Sequence, residues 1–356
     1  MVKTIGGETT ARARAHSNIA LIKYWGKRDR ALNLPAVGSI SITLDALSTD
    51  TQVSFDPGNL GFARPNAGEL GTDDVGADDF GTDECVLNGR AIDAGPSSRV
   101  GHVLDLVRER AGITGRASVS SSNDFPTGAG LASSASGFAA LAVAASHAAG
   151  LRPDARELSI LARQGSGSAA RSIFGGYVEL HVGSAPDGSD AFAEPLLDAA
   201  VWPLSVVVAI TDHAAKSVSS TTGMGASSAT SPFFGSWVDT AEQDLAGMRS
   251  AIAARDFGAL GELAEYSCLK LHALMLTTRP ALIYWNAATL AAMHAVRQLR
   301  ADGVPTYFTI DAGPQVKALC GPADAATVAA ALAAVPGVAE VRVSALGGGA
   351  VLVGER

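Results

Sequence analysis

Two lysines, Lys23 and Lys27, stand four residues apart directly after the apolar run at residues 19–22. Side chains at positions i and i+4 share a face on both a strand and a helix, so the two ammonium groups and the hydroxyl of Tyr24 would project together. A buried ammonium group is unfavourable without an anionic partner. The spacing therefore predicts contact with an anion. The alternative is a strand end whose lysines reach into solvent.

A glycine-bearing stretch of small residues, Pro-Thr-Gly-Ala-Gly-Leu-Ala-Ser-Ser, occupies residues 126–134, between an alternating segment and a long helical one. Small residues let backbone N–H groups approach an anion closely, and the N-terminus of the following helix adds positive potential. Ser133 and Ser134 are placed to cap that helix or to contact a phosphate or a metal ion. No Gly-Lys-Ser/Thr follows, which excludes a Walker A motif. A glycine turn with a serine cap remains the alternative.

A third stretch, residues 165–170, fits the Gly-x-Gly-x-x-Gly/Ala dinucleotide fingerprint, but helical rather than strand periodicity precedes it. We therefore exclude a Rossmann site. The stretch still places the hydroxyls of Ser166 and Ser168 close to Arg171. A guanidinium group can bind a carboxylate or phosphate through two parallel hydrogen bonds. An ordinary arginine at a helix end is the alternative.

Asp311 follows the apolar segment at residues 307–310 and opens a Gly-Pro turn. A carboxylate just past a strand is a common place for a catalytic group, and equally common as the first residue of a turn. The polar run at residues 218–223, with Lys216 just before it, is either another anion contact or a loop. Together the lysines, arginine, serines, glycine loop and carboxylate form an inventory for handling phosphates, with an acid placed to act on a hydroxyl.

Several reaction classes lose support. The seven histidines show no metal-ligand spacing, and neither Gly-x-Ser-x-Gly nor His-Glu-x-x-His occurs, which argues against hydrolases and metalloproteases. The net charge of −8 argues against nucleic acid as a partner. Three widely spaced cysteines predict a reducing compartment without disulfides. With no signal-peptide core and no apolar run of about 18 residues, we predict a cytoplasmic protein without a membrane partner.

Strands and helices occur in both halves without strict alternation, which predicts an α+β fold. The chain has 356 residues, so two domains are expected, and we place them at residues 1–195 and 196–356. A surface loop or partly mobile insertion is predicted at residues 56–84, which are rich in Gly, Asp and Asn. Strands are predicted at residues 39–44, 51–55, 85–87, 117–121, 177–182, 204–210, 306–310, 316–320, 339–343 and 350–353. Helices are predicted at residues 99–110, from the end of the glycine stretch to about 149, and at 157–163, 236–254, 256–274, 280–301 and 323–334.

Four segments in this order resemble the diphosphomevalonate decarboxylase family of the GHMP kinase superfamily: residues 18–29, 123–134, 165–171 and 311–314. The Lys-Tyr-Trp-Gly-Lys and Gly-Ser-Gly-Ser-x-x-Arg motifs are specific to this branch. The resemblance implies a GHMP-kinase-like fold with a ribosomal-protein-S5-like N-terminal domain, a ferredoxin-like C-terminal domain and an active site in the cleft between them. It also implies ATP and Mg²⁺, a homodimer, and conversion of mevalonate 5-diphosphate to isopentenyl diphosphate by phosphorylation of its 3-hydroxyl and loss of phosphate and CO₂.

The resemblance further implies individual roles. Asp311 would be the catalytic aspartate near the 3-hydroxyl, ionised as an acceptor or base, Lys23 would lie beside it near the γ-phosphate, and Arg171 would hold the substrate carboxylate. Ser134 would be the active-site serine at the helix start, while the metal ligands stay open. The other residues expected at the substrate are Tyr24, Trp25, Gly26, Lys27, Arg99, Ser166, Gly167, Ser168 and Thr221. The residues expected at ATP are Ser121, Asn123, Pro126, Gly128, Ala129, Gly130, Leu131, Ala132, Ser133 and Lys216.

Other functions stay open at this point. Within the same superfamily these are a mevalonate 5-phosphate decarboxylase and a mevalonate 3-kinase that does not decarboxylate. The kinase-only branch is expected to lack the aspartate–lysine pair, whereas Asp311 and Lys23 are both present here. A non-enzymatic binding protein on the same fold is the third alternative, and the complete set of acid, lysine and arginine argues against it.

Overall fold

The computed structural model describes residues 10–56, 83–95, 98–125, 130–214 and 216–354, and these form two main sheets with helices packed on them and a separate two-stranded ribbon. This architecture confirms the α+β prediction. The strands are β1 (Thr10–Ile22), β2 (Lys27–Asp29), β3 (Leu34–Pro35), β4 (Ser39–Phe55), β5 (Glu84–Leu87), β6 (Arg90–Ile92), β7 (Ala117–Asn123), β8 (Tyr177–Leu180), β9 (Ala193–Leu197), β10 (Ser205–Ile210), β11 (Thr306–Thr309), β12 (Val316–Cys320), β13 (Glu340–Ala345) and β14 (Val351–Leu352). The helices are α1 (Arg99–Ala111), α2 (Ser133–Ala148), α3 (Ala155–Gly165), α4 (Ala169–Ser172), α5 (Ser220–Thr230), α6 (Phe234–Asp239), α7 (Ala241–Ala254), α8 (Phe257–Leu276), α9 (Ala287–Ala301) and α10 (Ala325–Ala333).

The larger sheet has the order β14-β1-β4-β7-β5-β6, and β8 joins β4 to β9. Its long central pair is antiparallel, and a shift in register between His16 and Asn18 bends it. Sequence alternation predicted two strands at 39–44 and 51–55, but they form one continuous strand, β4. The intervening residues stay extended because they pair with β1, for example Asp50 with Arg14.

Helix α2 packs against β1 and β4, and every residue from 138 to 146 is buried. A helix that is apolar on all sides belongs in a core. Its many alanines let neighbouring backbones approach closely, so the helix lies flat against the sheet with α3 and α4 beside it. This packing fixes the position of the helix start at Ser133, where the glycine stretch ends.

The smaller sheet is antiparallel with the order β11-β12-β10-β13. Alternate side chains of a strand point to opposite faces. Val206 and Val208 of β10 enter a core that includes residues of α7 and α8, while Val207 and Ala209 enter another that includes residues of α9 and α10. Burial on both faces explains why β10 is apolar throughout.

Two helix predictions and the loop alternative for residues 218–223 need correction. The predicted helix at 236–254 is two helices, α6 and α7, which meet at Thr240. The predicted helix at 280–301 begins only at α9, because Asn286 and Thr289 form a reciprocal capping box that starts the helix there. The polar run at 218–223 is the start of α5, whose first turn is capped by the hydroxyl of Ser219.

The two sheets draw on different parts of the chain. Strand β9 pairs with β8 in the larger sheet, so a boundary at 195 falls inside a strand. Strand β14 returns to the larger sheet by pairing with β1, as in Ala13 with Leu352. We therefore propose that the first unit extends to the end of β9 and also includes β14. The predicted insertion at 56–84 lies mostly outside the described residues.

Two further features are the state of the cysteines and the apolar character of the helices. All three cysteines, Cys85, Cys268 and Cys320, are free thiols in the described structure, and all three are buried. Among the described helices, none combines the length and apolar character needed to cross a bilayer.

Candidate active site

Three charged groups meet in the cleft between the two sheets. Asp311 lies just after β11, and its Oδ1 atom is 2.7 Å from Nζ of Lys23, which follows β1. Its Oδ2 atom is 3.3 Å from Nζ of Lys317 in β12. Lys23 also donates to the carbonyl oxygen of Ala20 at 2.8 Å, and Lys317 donates to that of Gly130 at 3.0 Å. Elements of both sheets thus hold one carboxylate between two ammonium groups.

The protonation state of Asp311 follows from this arrangement. Burial by itself raises the pKa of its carboxyl group, but the nearby ammonium groups of Lys23 and Lys317 outweigh burial and hold the pKa well below its usual range. The carboxylate is therefore ionised at neutral pH. Its side chain is 26% exposed where it lines the cavity, so a ligand can reach it, whereas both lysines are buried.

Helix α8 positions both sides of this cluster. The hydroxyl of Ser267 accepts a hydrogen bond from the backbone N–H of Lys23 at 2.9 Å. One residue further on, the sulfur of Cys268 accepts from the N–H of Ile310 at 3.2 Å. Since Ile310 directly precedes Asp311, one helical turn sets the separation between the lysine and the carboxylate.

The guanidinium group of Arg171 is fixed by hydrogen bonds to two neighbouring side chains, which leave some of its N–H donors available to a ligand. The Oδ1 atom of Asn18 accepts from its Nε at 3.2 Å and from its Nη2 at 3.0 Å, and Ser39 accepts from Nη1. A guanidinium carries five N–H donors, so two are not used by these partners. Burial lowers the pKa of Arg171 to about 10, and the charge of Asp311 opposes that shift. The arginine lines the cavity as a cation that can bind a carboxylate.

A group of hydroxyls lies on the same wall of the cavity. The hydroxyl of Ser166 donates to that of Ser134 at 3.3 Å and lies 3.3 Å from that of Ser168. The hydroxyl of Tyr24 is buried and has no hydrogen-bond partner in the described structure. Burial raises the pKa of Tyr24 to about 12, so it stays a neutral donor. A buried donor without a partner is unfavourable, which favours a ligand that accepts from it.

We expect Gly167→Ala to raise the KM for the substrate about tenfold, because it displaces Tyr24 and weakens one hydrogen bond. A Cβ at this position would lie 2.3 Å from the tyrosine hydroxyl oxygen and 2.6 Å from Cζ. Steady-state kinetics measures the effect. Gly235→Ala is the control, since its Cβ would meet nothing within 4 Å. An unchanged KM in Gly167→Ala would show that the ring does not contact the substrate.

A second set of cations lines the same cavity. Lys27, Arg99 and Lys216 all line it, and none forms an ion pair with a carboxylate in the described part of the chain. Arg99 donates to the carbonyl oxygen of Gly165 at 3.3 Å and lies over the ring of Phe138. Burial lowers the pKa values of all three groups. Like charges gathered without a counter-ion favour an anionic ligand such as a diphosphate.

The pH dependence of substrate binding should show where Lys27 loses its charge. Burial lowers its pKa, and the charges of Arg99 and Arg30 lower it further. As pH rises through this lowered pKa, the ammonium loses its proton, so the KM should begin to rise below the ordinary lysine pKa of about 10.4. In Lys27→Arg the charge persists above pH 12, so the part of this rise that Lys27 causes should disappear, while Lys216 still titrates. KM profiles of both proteins test this, and identical profiles would contradict the prediction.

The end of the glycine stretch forms a tight turn at the start of α2. Gly130 has φ +83°, and a Cβ there would lie 3.0 Å from Cα of Gly313, in the turn after Asp311. Ala132 has φ 58° and gives the helix no side-chain cap. The first N–H groups of a helix lack partners within it. This turn therefore brings a helix N-terminus to the cavity, beside the carboxylate.

Most residues predicted from the sequence lie around this one cavity of about 1000 Å³. Gly26 and Leu131 are not among the described residues that line it, and Leu131 is buried in the core. Pro126, Gly128 and Ala129 lie outside the described residues. The predicted residues that line the cavity are Lys23, Tyr24, Trp25, Lys27, Arg99, Ser121, Asn123, Gly130, Ala132, Ser133, Ser134, Ser166, Gly167, Ser168, Arg171, Lys216, Thr221 and Asp311.

Sequence reasoning missed two contributors. Lys317 stands inside an otherwise apolar strand, and that contrast is a signal that could have singled it out. Asn18 belongs to the first motif, but its task of holding Arg171 depends on the fold. Trp25 lines the cavity yet is mainly a packing residue, because it is buried in a core cluster and its carbonyl accepts from Nε1 of Trp237 at 3.0 Å.

Known proteins match over nearly the whole chain. Residues 15–61 and 71–193 match the diphosphomevalonate decarboxylase-like N-terminal domain, and residues 206–344 match the mevalonate 5-diphosphate decarboxylase C-terminal domain. Diphosphomevalonate decarboxylase mvd1 of Aspergillus fumigatus is 36% identical and is matched over 92% of this chain and 80% of its own.

Solved structures agree with this match. The mevalonate diphosphate decarboxylase of Enterococcus faecalis, solved in a study of ATP binding, has a TM-score of 0.82 and 39% identity, with 97% of this chain and 98% of that chain covered. A complex of MDDEF with MVAPP, AMPPCP and magnesium gives a TM-score of 0.83 and 39% identity, also covering 97% of this chain and 98% of that chain.

The fold and the cleft define a two-domain α+β enzyme of the GHMP kinase type, in which a partly exposed carboxylate lies beside a glycine turn at a helix start. Within that class, both family models and the relatives point to the same family. The chain belongs to the diphosphomevalonate decarboxylase family.

Proposed function

We propose that this enzyme converts mevalonate 5-diphosphate and ATP into isopentenyl diphosphate, ADP, phosphate and CO₂. The observation that carries the proposal is the ionised Asp311 carboxylate, which is held between two ammonium groups and lines a cavity whose cations Lys27, Arg99 and Lys216 have no ion pair among the described residues. Such a cavity suits a substrate that carries a diphosphate at one end and a carboxylate at the other.

We assign the phosphoryl transfer to Asp311 and Lys23. A carboxylate of such low pKa is a weak base, so its main task is to accept a hydrogen bond from the 3-hydroxyl and orient that oxygen toward the γ-phosphate. The proton then moves to the carboxylate as the new P–O bond forms, which suits a loose transition state. Lys23 stabilises the negative charge on the transferring group.

We assign the bond cleavage to Arg171. When the C3–O bond breaks, phosphate leaves with the bonding electrons. The bond between C2 and the carboxylate carbon then breaks, its electron pair forms the C=C bond, and CO₂ departs. The two free N–H donors of Arg171 would hold the carboxylate so that the breaking bond stays aligned with the leaving group. The buried wall around Tyr24 excludes water from that step.

Mg²⁺ and the phosphates of ATP fit the glycine-turn end of the cavity. In the described residues no group of three or more His, Cys, Asp or Glu side chains could hold a metal ion on its own. Mg²⁺ at phosphate sites is usually held by the phosphates, waters and one or two protein oxygens. Ser133 and Ser121 line the cavity, and their hydroxyls are such oxygens. The ion would neutralise phosphate charge when bound.

We also propose a cytoplasmic homodimer. Three free buried thiols support a reducing compartment. Tyr266, Leu269 and Leu276 form an exposed apolar stripe on one face of α8, with 53%, 43% and 42% exposure, which supports a second copy as the partner. Sedimentation velocity should find twice the chain mass of 36.1 kDa.

The decisive experiment incubates the protein with ATP–Mg²⁺ and either mevalonate 5-diphosphate or mevalonate 5-phosphate, and follows ADP and CO₂ together. We expect equal amounts of ADP and CO₂ with the diphosphate. ADP without CO₂ would reject decarboxylation in favour of the kinase alternative, and turnover of the monophosphate alone would reject the proposed substrate.

A further inference from the structure

Lys317 is a second, fully buried cation on the carboxylate of Asp311. It lies in the middle of β12, where it is 0% exposed and its neighbours Val316 and Ala318 are buried as well. Its ammonium makes two contacts in the described structure: the carbonyl oxygen of Gly130 at 3.0 Å and Oδ2 of Asp311 at 3.3 Å. A long charged side chain in such a strand needs a physical reason, because its desolvation is unfavourable.

Neutralisation of Asp311 is not that reason. Lys23 already lies 2.7 Å from Oδ1, so one ammonium balances the carboxylate and the second leaves an excess positive charge. The apolar pattern of β12 would be satisfied by a leucine or methionine. The charge and three N–H donors of Lys317 therefore act by positioning the groups that they contact, rather than by filling space in the core.

The two contacts of Lys317 connect parts that the reaction requires at a fixed distance. Gly130 begins the tight turn that leads into α2, and Asp311 belongs to the turn after β11. A carboxylate held at one oxygen only can rotate, because the terminal torsion of Asp is broad. With a different ammonium at each oxygen, the plane of the carboxylate is set.

We propose that Lys317 is a positioning residue, which sets the plane of the Asp311 carboxylate and ties it to the phosphate-binding glycine turn through the carbonyl of Gly130. This inference rests on the proposed function for the roles of the carboxylate and the turn. Lys317 itself touches no substrate; it acts through Asp311 on the rate and through Gly130 on nucleotide binding.

The test compares Lys317→Met with Arg249→Met. Arg249 makes a bidentate ion pair with the buried carboxylate of Glu179, and neither residue lines the cavity, so its loss also leaves a buried carboxylate without that partner. For Lys317→Met we expect kcat to fall about 30-fold, the Kd for MgATP to rise about fivefold and the KM for mevalonate 5-diphosphate to change less than threefold, since small misplacements of reacting groups cost up to about 100-fold. Arg249→Met should lower the Tm but keep kcat within twofold.

If Lys317 had only a structural role, the loss of kcat per folded molecule would parallel the loss of Tm in both variants. Equal loss of kcat in the two variants, or a kcat for Lys317→Met within threefold of wild type, overturns the proposal. If Lys317→Met does not fold, Lys317→Gln keeps an N–H donor without the charge and is judged by the same thresholds. Lys317→Arg, which keeps charge and donors, should recover at least part of the lost kcat.

Failure of the proposed function is recognised separately. Turnover by the wild-type enzyme tests the function, while the ratio between variant and wild type tests the role of Lys317. If the wild type releases no CO₂, calorimetric titration with MgATP still decides the inference. A raised Kd in Lys317→Met but not in Arg249→Met supports it, and equal Kd values overturn it.

Discussion

Replacing Asp311 with asparagine should lower the rate of CO₂ release by about 10⁴-fold, the upper end of what a positioned acid–base group contributes. Asparagine has nearly the same shape, but it is neutral and cannot take the proton of the 3-hydroxyl. Lys23 and Lys317 would also lose their shared anion. Both ADP and CO₂ should fall together, because the first chemical step is blocked.

The same variant should still bind ATP, since the glycine turn and Lys216 do not depend on the carboxylate for their backbone contacts. Asp187→Asn is the matched control. Asp187 is an exposed turn residue whose Oδ1 accepts from the N–H of Ser189 at 3.0 Å, and it does not line the cavity. Asp187→Asn should keep kcat within twofold. Near-normal turnover in Asp311→Asn would show that Asp311, like Asp187, has no catalytic role.

Replacing Arg171 with lysine should lower kcat/KM by about 10³-fold, because lysine keeps the charge but loses the planar fork that holds a carboxylate at two points. Lysine is also too compact to reach both Asn18 and Ser39, so the remaining cation would move within the site. Product analysis should show a greater loss of CO₂ than of ADP, since Arg171 is assigned to the cleavage step.

Arg163→Lys provides the control for burial. Arg163 is also a fully buried arginine; it donates to the carbonyl oxygens of Leu32 at 3.0 Å and Gly188 at 3.3 Å and does not line the cavity. Its replacement should lower the Tm while leaving kcat/KM within about threefold, because surface and structural changes act mainly on stability. Equal losses in the two variants would mean that Arg171 is only a structural arginine.

The local sequence predicted much of the scaffold. Alternation and helical spacing predicted β12, α1 and α8 within two residues of their observed ends. These features depend on neighbours a few residues away. Helix ends near residues 240 and 286 were missed because caps and packing decide them, and the long β4 was split because its continuity depends on pairing with β1.

The sequence by itself determined the residue types of the candidate site. Lys23, Lys27 and Arg171 stand in motifs whose spacing is local, so they could be singled out before the fold was known. Only the tertiary structure decided how these groups meet. Asp311 joins Lys23 across 288 positions of sequence, and Lys317 becomes its second cation because β11 and β12 pair side by side. Contacts between distant segments follow from sheet pairing and helix packing, and no local pattern records them.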